Sequence, residues 1–150
     1  MRTSATLKRS IGFPLTGLVL IFSTGTAAAE VVAVVAVVAA NSPITSLTKS
    51  QVINIFLGKS NRFPDGSLAI PIDQEEGSID RNKFYANYAN MSAAQIKGHW
   101  SKIIFTGRGQ PPKEVANGKE VKKRIISNPN TIGYLEEDLV DDRMRVLLSP

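Results

Sequence analysis

Residues 72–85, IDQEEGSIDRNKFY, gather the residue types that recognise or repel a small anion. Gly77 and Ser78 read as a turn that opens a helix. A helix start presents unpaired backbone N–H groups and the positive end of the helix dipole, which suits an anion. The same turn carries the acids Asp73, Glu75, Glu76 and Asp80. Three readings follow: an anion site, a site that has lost its anion, or only a well-capped helix.

Elsewhere the means for catalysis are thin, and no enzymatic activity or cofactor is expected. His99 is the one histidine. With Ile96, Trp100 and Ile103 around it, it borders the apolar face of a helix, and no serine or acid stands at a triad spacing. One histidine and no cysteine make no metal centre. The acids of EEDLVDD (136–142) lack the spacing and glycine of a calcium loop and read as a solvated turn. FTGRGQPP (105–112) follows a helix instead of a strand, so its Gly-x-Gly fits neither a Walker loop nor a dinucleotide fingerprint. Arg108 in that loop is a candidate for reaching an anion. Trp100, Tyr85 and Tyr88 fall at helical spacing and are expected in the core.

Four helices must position these groups. Thr48 with Gln51, and Ser92 with Gln95, form capping boxes; Asn117 with Glu120 is a looser version. The fourth helix starts at Ser78, where the third helical position is Arg81 instead of Glu or Gln. Its N-terminus is thus the one left most open to something else. Gly58 and Gly107 stand where a left-handed C-cap is expected, and Pro129 closes the last helix. VVAVVAVV (31–38) reads as a strand buried on both faces, as in a parallel sheet covered by helices. Further strands are expected at 68–72, 113–115, 131–135 and 144–148, with FPDGS (63–67) as a turn. Strands alternating with helices predict an α/β fold with a mainly parallel sheet flanked by helices.

Residues 1–29 read as a secretory signal. Arg2, Lys8 and Arg9 precede the apolar run Ile11 to Phe22, and Ala27-Ala28-Ala29 predicts cleavage after Ala29 and a periplasmic location. Removing this segment takes three basic residues and no acid, lowering the net charge from +5 to +2. No nucleic-acid stripe remains. Residues 30–150 suffice for one domain, held by its core without disulfides.

Several segments in order, ITSLTKSQVINIFLGKSNRFPDGS, IPIDQEEGS, IIFTGRGQPP and NPNTIGYL, resemble the later part of phosphate-type substrate-binding proteins of ABC transporters, of the type II periplasmic binding protein class. IFLGK and IGYL are the most specific parts, and the resemblance covers about residues 37–148. It implies a periplasmic location, two α/β lobes with phosphate or another small oxyanion in the cleft, and partnership with an ABC permease or another periplasmic protein. The length implies a single lobe.

The resemblance also implies which residues would hold the ligand. The family's segment matching 74–80 reads Arg, any residue, Asp-Gly-Ser-Gly-Thr. Here Gln74 stands for the arginine, Ile79 for the glycine and Asp80 for the threonine; Gly77 and Ser78 persist, with Arg81 next in the helix. Replacing Thr by Asp adds a charge that repels an anion about 4 Å away by roughly 4 kcal/mol at an effective dielectric of about 20. That corresponds to about a thousandfold in affinity. The expectation is a degenerate oxyanion site, improved by Asp80→Thr and further by Gln74→Arg. The alternative is an interaction or sensory protein that uses the lobe to bind a protein partner or to self-associate; an exposed apolar wall beside Ser78 would favour it. Oligomeric state is left open.

Overall fold

The computed structural model describes Gly12 and residues 29–148. The expected signal segment lies outside the described residues apart from Gly12 and Ala29. In chain order the elements are β1 (Val34–Ala39), α1 (Lys49–Phe56), β2 (Ile70–Gln74), α2 (Ile79–Ala89), α3 (Ala93–Phe105), β3 (Lys113–Val115), α4 (Gly118–Ser127), β4 (Thr131–Glu136), a 3-10 turn (Glu137–Leu139) and β5 (Met144–Leu148).

The β-branched run becomes β1, and all six of its residues are buried. Side chains alternate across a strand. Val34, Ala36 and Val38 accordingly pack with Val52 of α1, Phe84 of α2 and Ile96 of α3. Val35, Val37 and Ala39 pack with Val121 and Ile125 of α4. The sheet is thus covered by three helices on one face and one on the other, which is why β1 carries no polar alternation.

The sheet order is β3-β2-β4-β1-β5. The α/β class and the flanking helices are as expected, but the strand directions differ in one respect. β2 runs parallel to β3 and β4, whereas β1 is antiparallel to both β4 and β5. β1 alone is therefore reversed, so the sheet is mixed. Burial on both faces dictates helices above and below; it does not dictate strand direction, which the connections set. The register of β1 with β5 also shifts between Ala36 and Val37.

Local signals hold well. Thr48 and Ser92 form complete capping boxes with Gln51 and Gln95, and Asn117 accepts from the Glu120 amide. Gly58 and Gly107 adopt positive φ of 72° and 65° at the ends of α1 and α3. β1 begins at Val34, where pairing with Glu136 of β4 starts, and Val31 before it is 80% exposed. β2 is displaced from 68–72 to Ile70–Gln74, and Leu68 instead bridges Arg62 across the FPDGS turn. That displacement carries Asp73 and Gln74 into the sheet. Among the described residues, no helix is long and apolar enough to cross a membrane.

Candidate functional site

β2 runs into the α2 N-terminus through the turn Glu75–Ser78, where Gly77 takes a φ of 91° that side chains other than glycine rarely adopt. The turn is closed by the Ser78 amide donating to the Glu75 carbonyl at 3.1 Å. Ser78 Oγ accepts from the Arg81 amide at 3.3 Å, as an N-cap should. Its hydroxyl proton goes to Gln74 Oε1 at 2.9 Å. A serine has one O–H donor. The Ser78 proton is therefore committed to Gln74 and is not offered to an anion. Gln74 is fixed in turn, since its Nε2 donates to the Tyr134 carbonyl at 3.2 Å.

Beneath this turn lies a network that the sequence does not advertise. Asp73 is fully buried at the end of β2. Its Oδ1 accepts from the Gln74 amide at 2.8 Å and from the Tyr134 hydroxyl, and its Oδ2 accepts from the Tyr85 hydroxyl at 2.7 Å. Arg81 Nε stands 3.6 Å from Asp73 Oδ2, and Arg81 Nη1 is 3.2 Å from Glu114 Oε1. A buried carboxylate is costly unless paired and hydrogen-bonded. Asp73 is both. Burial, and next the charge of Asp73, push the Tyr85 and Tyr134 hydroxyls well above the ordinary tyrosine range. Burial works against the Arg81 charge, but Asp73 and then Glu114 outweigh it and raise its pKa.

The six candidate ligand residues are thus only partly brought together. Gln74, Gly77 and Ser78 form one hydrogen-bonded turn, and Asp80 stands in the first turn of α2. Arg81 faces inward to Asp73 and Glu114, so its charge is already neutralised. Arg108 is in another place, beside Ile55, Ile70 and Lys113 in a groove that Ser78 does not line. A small cavity of about 190 Å³ between α2 and α3 touches Gly77, Arg81 and Trp100. Its charged groups are paired across its rim, Arg81 with Glu114 and Lys97 with Glu76. Asp73, Tyr85, Tyr134 and Glu114 are the members that sequence reasoning missed as a group. The available signal was an acid directly after the apolar Ile70-Pro71-Ile72, where an unpartnered charge would be untenable.

The remaining chemistry-bearing residues take structural roles. His99 Nε2 lies 2.9 Å from the Leu57 carbonyl, an acceptor, so that nitrogen carries the hydrogen. It ties α3 to the end of α1. Asp141 accepts from Arg143 at 2.6 Å and pairs with Lys122 at 2.7 Å, closing the loop into β5. Those two hydrogen bonds, Arg143 first, hold its carboxyl well below the usual range.

Solved structures similar to the chain include the following three. One is a Clostridium perfringens protein assigned as a phosphate ABC transporter substrate-binding protein, with bound phosphate: TM-score 0.62, 19% identity, covering 77% of this chain and 44% of that one. The second is an ABC-type phosphate transport receptor from Vibrio cholerae, with TM-score 0.61, 16% identity and coverage of 77% and 46%. The third is PstS from Borrelia burgdorferi, with TM-score 0.53, 13% identity and coverage of 77% and 46%. The chain shares their fold. It spans less than half the length of each. No protein-family profile matches the sequence, and comparison with curated proteins gives no match.

Proposed function

We propose that the chain is a periplasmic solute-binding-protein-like module, a single lobe related to ABC-transporter phosphate-binding proteins, with a degenerate oxyanion site and no catalytic activity. Residues 1–29 are its export signal, cleaved after Ala29. One observation carries the reading of the site: the Ser78 hydroxyl donates to Gln74 Oε1, inside a turn flanked by Asp73, Glu75, Glu76 and Asp80. Phosphate entering here meets acids and a spent donor, and the nearest cation, Arg81, is engaged by two carboxylates. Charge-assisted bonds are the strong ones for an oxyanion, and this turn supplies none that is free. Isothermal calorimetry of the mature protein with inorganic phosphate at low salt tests it. The expected result is no complex tighter than about millimolar; micromolar binding would overturn it.

A second reading has its own observation. Ile79, directly after Ser78, is 71% exposed, and Phe105 at the end of α3 is 93% exposed. Exposed apolar side chains of this size suit a protein partner, whether an ABC permease, another periplasmic protein or a second copy. Light scattering over a concentration series separates the cases. A mass that rises with concentration, and falls back in Ile79→Ser, supports self-association over solute capture.

A further inference from the structure

The groove that holds Arg108 has a different character from the Ser78 turn. It has a volume of about 550 Å³, within the range of roughly 300–1,000 Å³ usual for small-molecule sites. Its floor and walls come from the end of α1, the strand entry at 68–71, Trp100 of α3 and the connector 108–112 leading into β3. Arg108 and Lys113 line it, and no Asp or Glu does. Among the described residues neither cation lies within ion-pair distance of an acid.

The apolar part is equally defined. Leu68 is 45% exposed although it is a large aliphatic residue, and Trp100, Pro111 and Pro112 stand with it. The Trp100 ring is fixed, since a methyl group at Gly58 would come within 2.9 Å of its Cη2. Trp100 is only 6% exposed, yet its Nε1–H is buried with no acceptor in the protein.

We propose that this groove is a binding site for small organic monoanions, a carboxylate on an aromatic or branched aliphatic body. Arg108 and Lys113 take the carboxylate, and Leu68, Trp100 and the two prolines take the apolar body. Inorganic phosphate, with no apolar part, is a poor occupant. The inference is independent of the reading of the Ser78 turn, because no residue of the turn 74–78 lines this groove.

Trp100 is the chain's one tryptophan and lines both this groove and the cavity between α2 and α3, so the Arg108 and Lys113 variants below are what assign a fluorescence change to the groove. The mature protein is titrated with phenylacetate, with the neutral phenylacetamide and with inorganic phosphate. Phenylacetate is expected to give a saturable change, with phenylacetamide about tenfold weaker, since the charge-assisted bond is lost. Phosphate should give no saturable change. Arg108→Ala and Lys113→Ala should each weaken phenylacetate by about tenfold and leave phenylacetamide unaffected. Both side chains are exposed, so the variants keep the wild-type circular dichroism spectrum. A salt series on the unmodified protein gives a second readout, with phenylacetate affinity falling as exposed charges are screened. Equal affinity for the acid and its amide, no effect of removing both cations, or salt-independent phenylacetate binding would each overturn the proposal.

Discussion

The Tyr85 hydroxyl donates to Asp73 Oδ2 at 2.7 Å, joining the middle of α2 to the buried end of β2 directly beneath the Ser78 turn. Tyr134 reaches the other oxygen of the same carboxylate from β4. The ring of Phe84 stacks on that of Tyr134 with centroids 4.0 Å apart and planes 6° from parallel. One carboxylate thus locks a helix and two strands together.

Removing either donor should leave a buried charge short of a partner. Tyr85→Phe and Tyr134→Phe are each expected to cost about 1–3 kcal/mol in urea unfolding. The double variant should lose more than the two singles combined, because both hydroxyls serve one carboxylate. Strict additivity would mean that Asp73 draws its stabilisation from Arg81 instead.

The three tyrosines give a pH signature. Burial raises Tyr88 to about 12, and Tyr85 and Tyr134 lie higher still. Their folded pKa values exceed the unfolded value, so this stability is fully present below about pH 10. Above it the unfolded chain releases protons that the folded chain keeps. Stability should then fall by about 1.4 kcal/mol per pH unit for each of Tyr85 and Tyr134. Ultraviolet difference spectroscopy at pH 11 should show little phenolate until the protein unfolds. Phenolate absorbance from all three tyrosines in folded protein at pH 11 would contradict the network.

Two glycines should respond to alanine in opposite directions. A Cβ at Gly133 would stand 2.5 Å from Val121 Cγ1, where α4 crosses β4, whereas one at Gly98 of α3 meets nothing within 4 Å. Gly133→Ala is expected to destabilise by about 1–3 kcal/mol through overpacking. Gly98→Ala should stabilise by about 0.5–1 kcal/mol, since alanine is the better helix former. Thermal unfolding of the pair decides it, and a neutral Gly133→Ala would mean that α4 does not sit tightly on the sheet.

The two substitutions suggested by the phosphate-binding motif should part company. Asp80 is in the first turn of α2, where a carboxylate contributes about 0.3–1 kcal/mol. Asp80→Thr should lose about that much while improving phosphate affinity measured by calorimetry. Gln74 is 1% exposed and bonds both Ser78 and Tyr134. Gln74→Arg must break those bonds and fit a longer cation into a full space, costing about 1–3 kcal/mol. Its loss of stability should exceed any gain in binding. A Gln74→Arg variant as stable as wild type, with improved phosphate affinity, would show that the turn can open.

Placing Val34→Asp in β1 should be the harshest change of all. Val34 is 1% exposed and touches no partner for a charge in its apolar cluster. The loss should be on the order of 4 kcal/mol or more, or the chain should fail to fold. Urea unfolding, or recovery of soluble protein, reads it. A midpoint unchanged from wild type would place β1 outside the core.

The sequence by itself determined what depends on near neighbours. Thr48 with Gln51 and Ser92 with Gln95 are three residues apart, so their caps are written locally, and so are the positive-φ helix ends at Gly58 and Gly107. The unbroken apolar run of β1 required helices on both faces, and the alternation of helix and strand signals gave the α/β class. Tertiary structure alone decided what joins distant residues. Tyr134 and Asp73 are 61 positions apart, and their meeting turns an acid that reads as part of a polar loop into the anchor of the core. The reversal of β1 follows from chain connections and not from its composition. So does the parting of Arg108 from Ser78, which puts the anion-seeking arginine in a groove of its own. A side chain's type fixes which partners it needs; only the fold fixes which ones it gets.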